Sequence, residues 1–116
     1  MLTTNLLKDL PSAIKDEVFE DIVKGDAVRI ERIVSQGQCS PDEHWYDQEQ
    51  NEWVLILEGH AKLILQLNQS NANHSNNSEQ IVELKAGDHI NIKAHQKHKV
   101  LWTCPNQTTV WLAVFY

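Results

Sequence analysis

From residue 27 onward the chain is patterned for strands. "AVRIERIV" (27–34) alternates apolar and polar positions and is rich in β-branched residues, so it predicts a strand. "WVLILEG" (53–59) and "HAKLILQL" (60–67) are two apolar runs meeting at Glu58-Gly59, which predicts a hairpin. "EQIVEL" (79–84) and "HINI" (89–92) read as strands joined by a tight turn at "KAGD" (85–88). "KHKVLWT" (97–103) and "TTVWLAVFY" (108–116) follow, separated by a turn at "CPNQ". Many short strands with regular turn signals and no long helix predict an all-β sandwich or barrel. The polar, low-complexity stretch "NQSNANHSNNS" (68–78) reads as a mobile loop.

The first 26 residues are ambiguous. Pro11 followed by Ile14, Val18, Ile22 and Val23 fits a short amphipathic helix, while "EVFEDIV" also alternates and fits a strand. Gly25-Asp26 closes the segment as a turn. Residues 1–26 are therefore expected to pack, as an irregular or helical segment, on a barrel formed by residues 27–116.

Charge narrows the partners. The 116 residues carry a net charge of −6, against nucleic acid and against an anionic membrane surface. No apolar run is long enough to span a bilayer, and the N-terminus lacks the features of a signal peptide, so a cytoplasmic location is expected. Two distant cysteines, Cys39 and Cys104, make no disulfide framework and are expected to be reduced, with Cys39 a buried, inert thiol. Motifs for phosphate loops and nucleophilic catalysis are missing.

Strand alternation then assigns faces. Lys97, Lys99 and Leu101 share one side and belong in water, which turns His98, Val100 and Trp102 inward. Glu52, Val54 and Ile56 share one side of their strand; Trp53, Leu55 and Leu57 share the other. Both sides are apolar, so this strand is expected to be buried on both faces, which also suits a dimer interface. A buried glutamate needs a partner or a proton. If Glu52 and His98 face one interior they serve each other, as a plain hydrogen bond or, with Asp47, as a divalent-metal site. Carboxylate and imidazole donors suit Zn, Mn, Fe or Ni, and His95 could supply a second imidazole. Trp45 and Trp102, with Val54 and Val100, are expected to line the pocket. His44, His60 and His74 are expected outside the site, and His89 in the core or at the rim.

The stretch "HWYDQEQNEW" (44–53) is where a family resemblance enters. The chain resembles the cupins, whose first motif reads G-x5-H-x-H-x4-E-x6-G. Glu52 and Gly59 match its second half, while Trp45 and Asp47 stand where the two histidines normally sit. The second motif, G-x5-P-x-G-x2-H-x3-N, is matched by Gly87 and His98; Lys93, His95 and Trp102 replace its proline, second glycine and asparagine. The resemblance implies a double-stranded β-helix, or jelly roll, often dimeric, with a pocket at one open end lined by Glu52, His98 and the residues at 45 and 47. Three functions follow. The first is a metal-dependent oxygenase or isomerase acting on a small molecule. The second is a metal-free module that binds a small molecule. The third is an interaction role through a homodimer, compatible with either.

Overall fold

The computed structural model describes residues 3–67 and 78–116. Eight strands follow one another: β1 (Val18–Lys24), β2 (Arg29–Ser35), β3 (Glu52–Glu58), β4 (His60–Leu67), β5 (Ser78–Lys85), β6 (His89–Ile92), β7 (His98–Thr103) and β8 (Thr109–Phe115). They form a five-stranded sheet, β1-β2-β8-β3-β6, and a three-stranded sheet, β5-β4-β7, with every pairing antiparallel. The all-β architecture is as the pattern predicts, and the two sheets form the jelly roll that the family resemblance implies. Among the described residues there is no helix, and none long and apolar enough to cross a membrane. The Asn-rich stretch read as a loop falls outside the described residues, except Ser78, which opens β5.

Alternation builds the core. Ile33, Val54, Ile56, Ala113 and Phe115 of the large sheet face Ala61, Leu63 and Leu65 of the small one, all buried. β3 contributes every second residue, as a half-buried sheet requires, and β8 does so from Trp111 on. In "EVFEDIV" the strand reading holds and the helical one does not. β1 pairs with β2 and forms the edge of the large sheet, placing Phe19 opposite Ile33. Ahead of it, the carbonyls of Leu6 and Lys8 each accept a 3.0 Å bond from Arg32, whose other nitrogen grips Glu20 at 2.8 Å. The leading segment is thus fastened to the face of the large sheet turned away from the core.

The predicted hairpin at Glu58-Gly59 is corrected. β3 and β4 do not pair; they belong to different sheets. Gly59, at φ +100°, carries the chain from one sheet to the other, and a Cβ there would lie 2.5 Å from Thr109 Cα. Thr109 Oγ1 bridges both backbone groups of His60 at 3.3 Å, sealing this corner. Two adjacent apolar runs around a glycine look alike in sequence whether the chain folds back within a sheet or crosses between two.

A bulge in β7 explains a second correction. Leu63 faces Val100 and Lys62 faces Trp102, so Leu101 is an extra residue that reverses the alternation beyond it. Thr103 is then buried, and Trp102 turns outward.

Candidate functional site

A cavity of about 70 Å³ lies between the sheets. Its walls are apolar and aromatic: Phe19 from β1, Ile33 from β2, Val54 from β3, Leu63 from β4, Ile92 from β6, Val100 from β7, and Trp111 and Phe115 from β8. Four polar side chains join them: Glu17, Tyr46, Glu52 and His98. An apolar hollow with a few convergent polar groups is the usual form of a small-molecule site.

Glu52 and His98 meet here. His98 Nε2 stands 3.3 Å from Glu52 Oε1, with both side chains nearly buried. The Gln48 side-chain amide donates to the same oxygen at 2.9 Å. His98 Nδ1 donates to the Gln96 carbonyl at 2.9 Å. A neutral imidazole has one N–H, and that carbonyl takes it. The contact with Glu52 therefore needs a second proton, held on the imidazole or on the carboxyl. Burial works against a charged imidazole. The bonds to Glu52 and Gln96, and the charges of Glu52 and Asp47, outweigh it and raise the pKa of His98 above the ordinary value.

Tyr46 was not anticipated from sequence. Its backbone forms an isolated bridge with His98, N–H to carbonyl in both directions, at 2.7 and 3.1 Å. Its ring stacks on the imidazole, centroids 5.6 Å apart. Burial raises the Tyr46 pKa first, and the carboxylates of Glu17, Glu52 and Glu31 raise it further. Glu17 is also new. It accepts a hydrogen bond from Ser35, which in turn accepts one from Trp111 Nε1 at 3.0 Å. Burial lifts the Glu17 carboxyl above its usual range, and the Ser35 bond offsets only part of this. One usable signal for Tyr46 was alternation through "HWYD", which puts residues 45 and 46 on opposite sides. Glu17 opens the alternating run "EVFEDIV", which puts it on the same side as Phe19; the helix-or-strand ambiguity of the first 26 residues hid that signal.

The remaining site candidates separate. Val54 and Val100 line the cavity. Trp45 and Trp102 do not. Trp45 lies under Lys99 Nζ at 4.5 Å, and Trp102 packs edge-on against His60 with Lys62 Nζ 5.4 Å from its ring. Neighbouring Tyr46 takes the inward position, and the Leu101 bulge turns Trp102 away. Asp47 and His95 pair with each other, Oδ1 to Nδ1 at 2.9 Å, on the exposed rim. His95 occupies the second-motif glycine position and keeps a glycine-like backbone, φ 64°. Among the described residues, no three His, Cys, Asp or Glu side chains converge to hold a metal ion. As arranged, Asp47 and His95, and Glu52 and His98, form two separate pairs rather than one ligand set.

Elsewhere, His44 and His89 are exposed, the latter accepting from Trp53 Nε1 at 3.2 Å. His60, half-buried, faces Glu83 at 3.2 Å. Cys39 is exposed rather than buried, and both cysteines are free.

Comparison with known proteins now gives the class. The structure is similar to that of a "putative mannose-6-phosphate isomerase" from Ralstonia eutropha JMP134, at 34% identity and TM-score 0.82, with 99% of this chain and 97% of that one covered. It also resembles a cupin superfamily protein from Desulfitobacterium hafniense DCB-2, at 15% identity and TM-score 0.66, covering 91% and 82% of the two chains. A third likeness is FeII HppE, at 15% identity and TM-score 0.67, where this chain spans 55% of that one. No family model and no curated protein matches the sequence. The chain belongs to the cupin superfamily.

Proposed function

We propose that this cupin binds a small molecule in the cavity between its sheets, and does so without a metal. The observation that carries the reading is the way the polar groups are already engaged. Glu52 is bonded to Gln48 and paired with His98, and His98 spends its other nitrogen on a backbone carbonyl. The bond from Nδ1 to the Gln96 carbonyl fixes the ring so that Nε2 faces Glu52. Here the partner is a carboxylate, so the pair holds a proton at the wall of the apolar space. None of the lining residues is Lys or Arg, and two are glutamates. Such a lining repels phosphate, so a phosphosugar, the substrate in the name of the Ralstonia protein, is a poor fit.

A divalent-metal pocket for an oxygenase or isomerase is the second reading. It is favoured by one observation: Asp47 lies close enough to act electrostatically on His98. The iron named for HppE is in keeping with that reading. It requires the Asp47–His95 and Glu52–His98 pairs to open and converge on one ion.

The test uses protein purified without a histidine tag and treated with chelator. The first reading expects tert-butanol, a small neutral probe, to shift the Trp111 indole N–H resonance while metal content stays near zero. It also expects one equivalent of Zn(II) to leave the His98 ring resonances in place. Uptake of one ion per chain, lost in both His98→Ala and Glu52→Ala, would establish the second reading instead.

For assembly, the same proposal pairs two copies through the outer face of the large sheet. There Trp53, Leu55, Leu112 and Val114 form a half-buried apolar surface. Sedimentation of Leu55→Asp beside the wild type checks it: the variant is expected to be monomeric where the wild type is dimeric.

A further inference from the structure

The charges around the cavity do not balance. Three carboxylates act on the Tyr46 hydroxyl: Glu17, Glu52 and Glu31. Glu52 has His98. Glu31, buried on the inner side of β2, has Arg29 at 3.7 Å. Among the described residues Glu17 has no basic partner; its bond is to a serine hydroxyl. Arg29 lies over the Phe115 ring, 4.3 Å from its centroid, but does not itself line the cavity. Inside the cavity, then, one carboxylate lacks a counter-charge.

The walls suit a cation. Phe19, Tyr46, Trp111 and Phe115 contribute four aromatic rings to one small space. Ring faces attract ammonium and alkylammonium groups, most strongly where water is excluded. Glu17 is half-buried, and a cation beside it supplies the partner that its partial desolvation otherwise denies it. Phe19 stands at the edge strand and is half exposed, leaving a way in on that side. A cavity of about 70 Å³ holds several waters, or a ligand of a few heavy atoms.

We infer that the cavity takes a small organic cation, an alkylamine or methylated ammonium group, with Glu17 as its counter-charge and the rings of Phe19, Tyr46, Trp111 and Phe115 as its cage. The inference rests on the small-molecule-pocket reading above and adds the charge of the ligand. Neither the Glu52–His98 pair nor a metal is needed to hold it.

The experiment compares three probes of similar size: tetramethylammonium (cationic), tert-butanol (neutral) and pivalate (anionic). Binding is followed by the Trp111 indole N–H resonance in wild type and in Glu17→Gln. Glutamine keeps the size of the side chain and its capacity to bond Ser35 while removing the charge. The expected result is that tetramethylammonium binds tightest to the wild type and loses at least tenfold in affinity in Glu17→Gln. Tert-butanol should bind both proteins alike, which also reports that the variant is folded. If pivalate binds as well as tetramethylammonium, or Glu17→Gln leaves the cation's affinity unchanged, the cation inference is overturned while the pocket stands. If none of the three binds the wild type, the pocket reading itself fails.

Discussion

Two acid–histidine pairs lie within a few residues of each other, and they differ in almost everything except chemistry. In the Glu52–His98 pair the side chains are 12% and 6% exposed; in Asp47–His95 they are 42% and 64% exposed. The rim pair has the shorter contact, 2.9 Å against 3.3 Å. Distance does not rank them. Water screens the rim pair and solvates either partner when the other leaves, so such pairs contribute about 0–1 kcal/mol. The pocket pair has no such refuge. Its partners were desolvated on folding, and removing one strands the other. The lesson is that a ligand set read from sequence spacing hides the variable that decides function, which is depth.

The comparison can be broken in order of expected effect. His98→Ala removes the proton donor from buried Glu52 and the stacking partner of Tyr46. It should cost about 3 kcal/mol, read as a fall in the urea midpoint with an unchanged slope. Glu52→Gln keeps an acceptor for Gln48 and His98, so a smaller loss, about 1–2 kcal/mol, is expected by the same measurement.

The pH dependence follows from the sign of the shift. The pKa of His98 is raised in the folded state above the unfolded value near 6.5. Its contribution is therefore fully present below that value and fades as pH rises through the folded pKa. The stability gap between wild type and His98→Gln should be widest near the acidic side of neutrality and narrow in alkaline buffer. A gap that widened with pH would reverse the assignment.

At the rim the expected changes are small or opposite in sign. Asp47→Asn should cost less than about 1 kcal/mol, and the loss should shrink further in ~0.5 M salt, where the screening length is only a few ångströms. His95→Gly gives up the pair but relieves a left-handed backbone at φ 64°. Holding a non-glycine residue there costs about 1–2 kcal/mol, so this variant should be neutral or slightly more stable in thermal unfolding. A loss comparable with that of His98→Ala would erase the distinction between the pairs.

Much of the fold was legible because strand periodicity and burial have one cause. In the run "EWVLILE" alternation groups Glu52, Val54 and Ile56 on one side, and those three are the buried ones; the opposite side, equally apolar and expected to be buried too, is only half-buried. Val100 and His98 were placed inward by the same rule, and both line the cavity. Prediction failed where the chain breaks its own period. The Leu101 bulge turns Trp102 outward. Gly59 crosses between sheets instead of closing a hairpin. Tyr46 reaches the pocket through a single bridge to His98, too short to leave a pattern. Asp47 was placed beside Glu52 by motif spacing, but its segment lies outside any strand and hands it to His95. Glu17 became visible only when β1 was seen to pair with β2, because its role depends on a serine on the neighbouring strand.

The central claim is that the buried pair, unlike the rim pair, holds a proton in the pocket through Glu52. The most direct measurement is an NMR titration of the His98 ring in the wild type and in Glu52→Gln, without added metal. The account predicts an apparent pKa above the ordinary histidine value in the wild type and a clear fall in the variant. A wild-type ring that titrates at or below that value, or a variant that titrates identically, would contradict it.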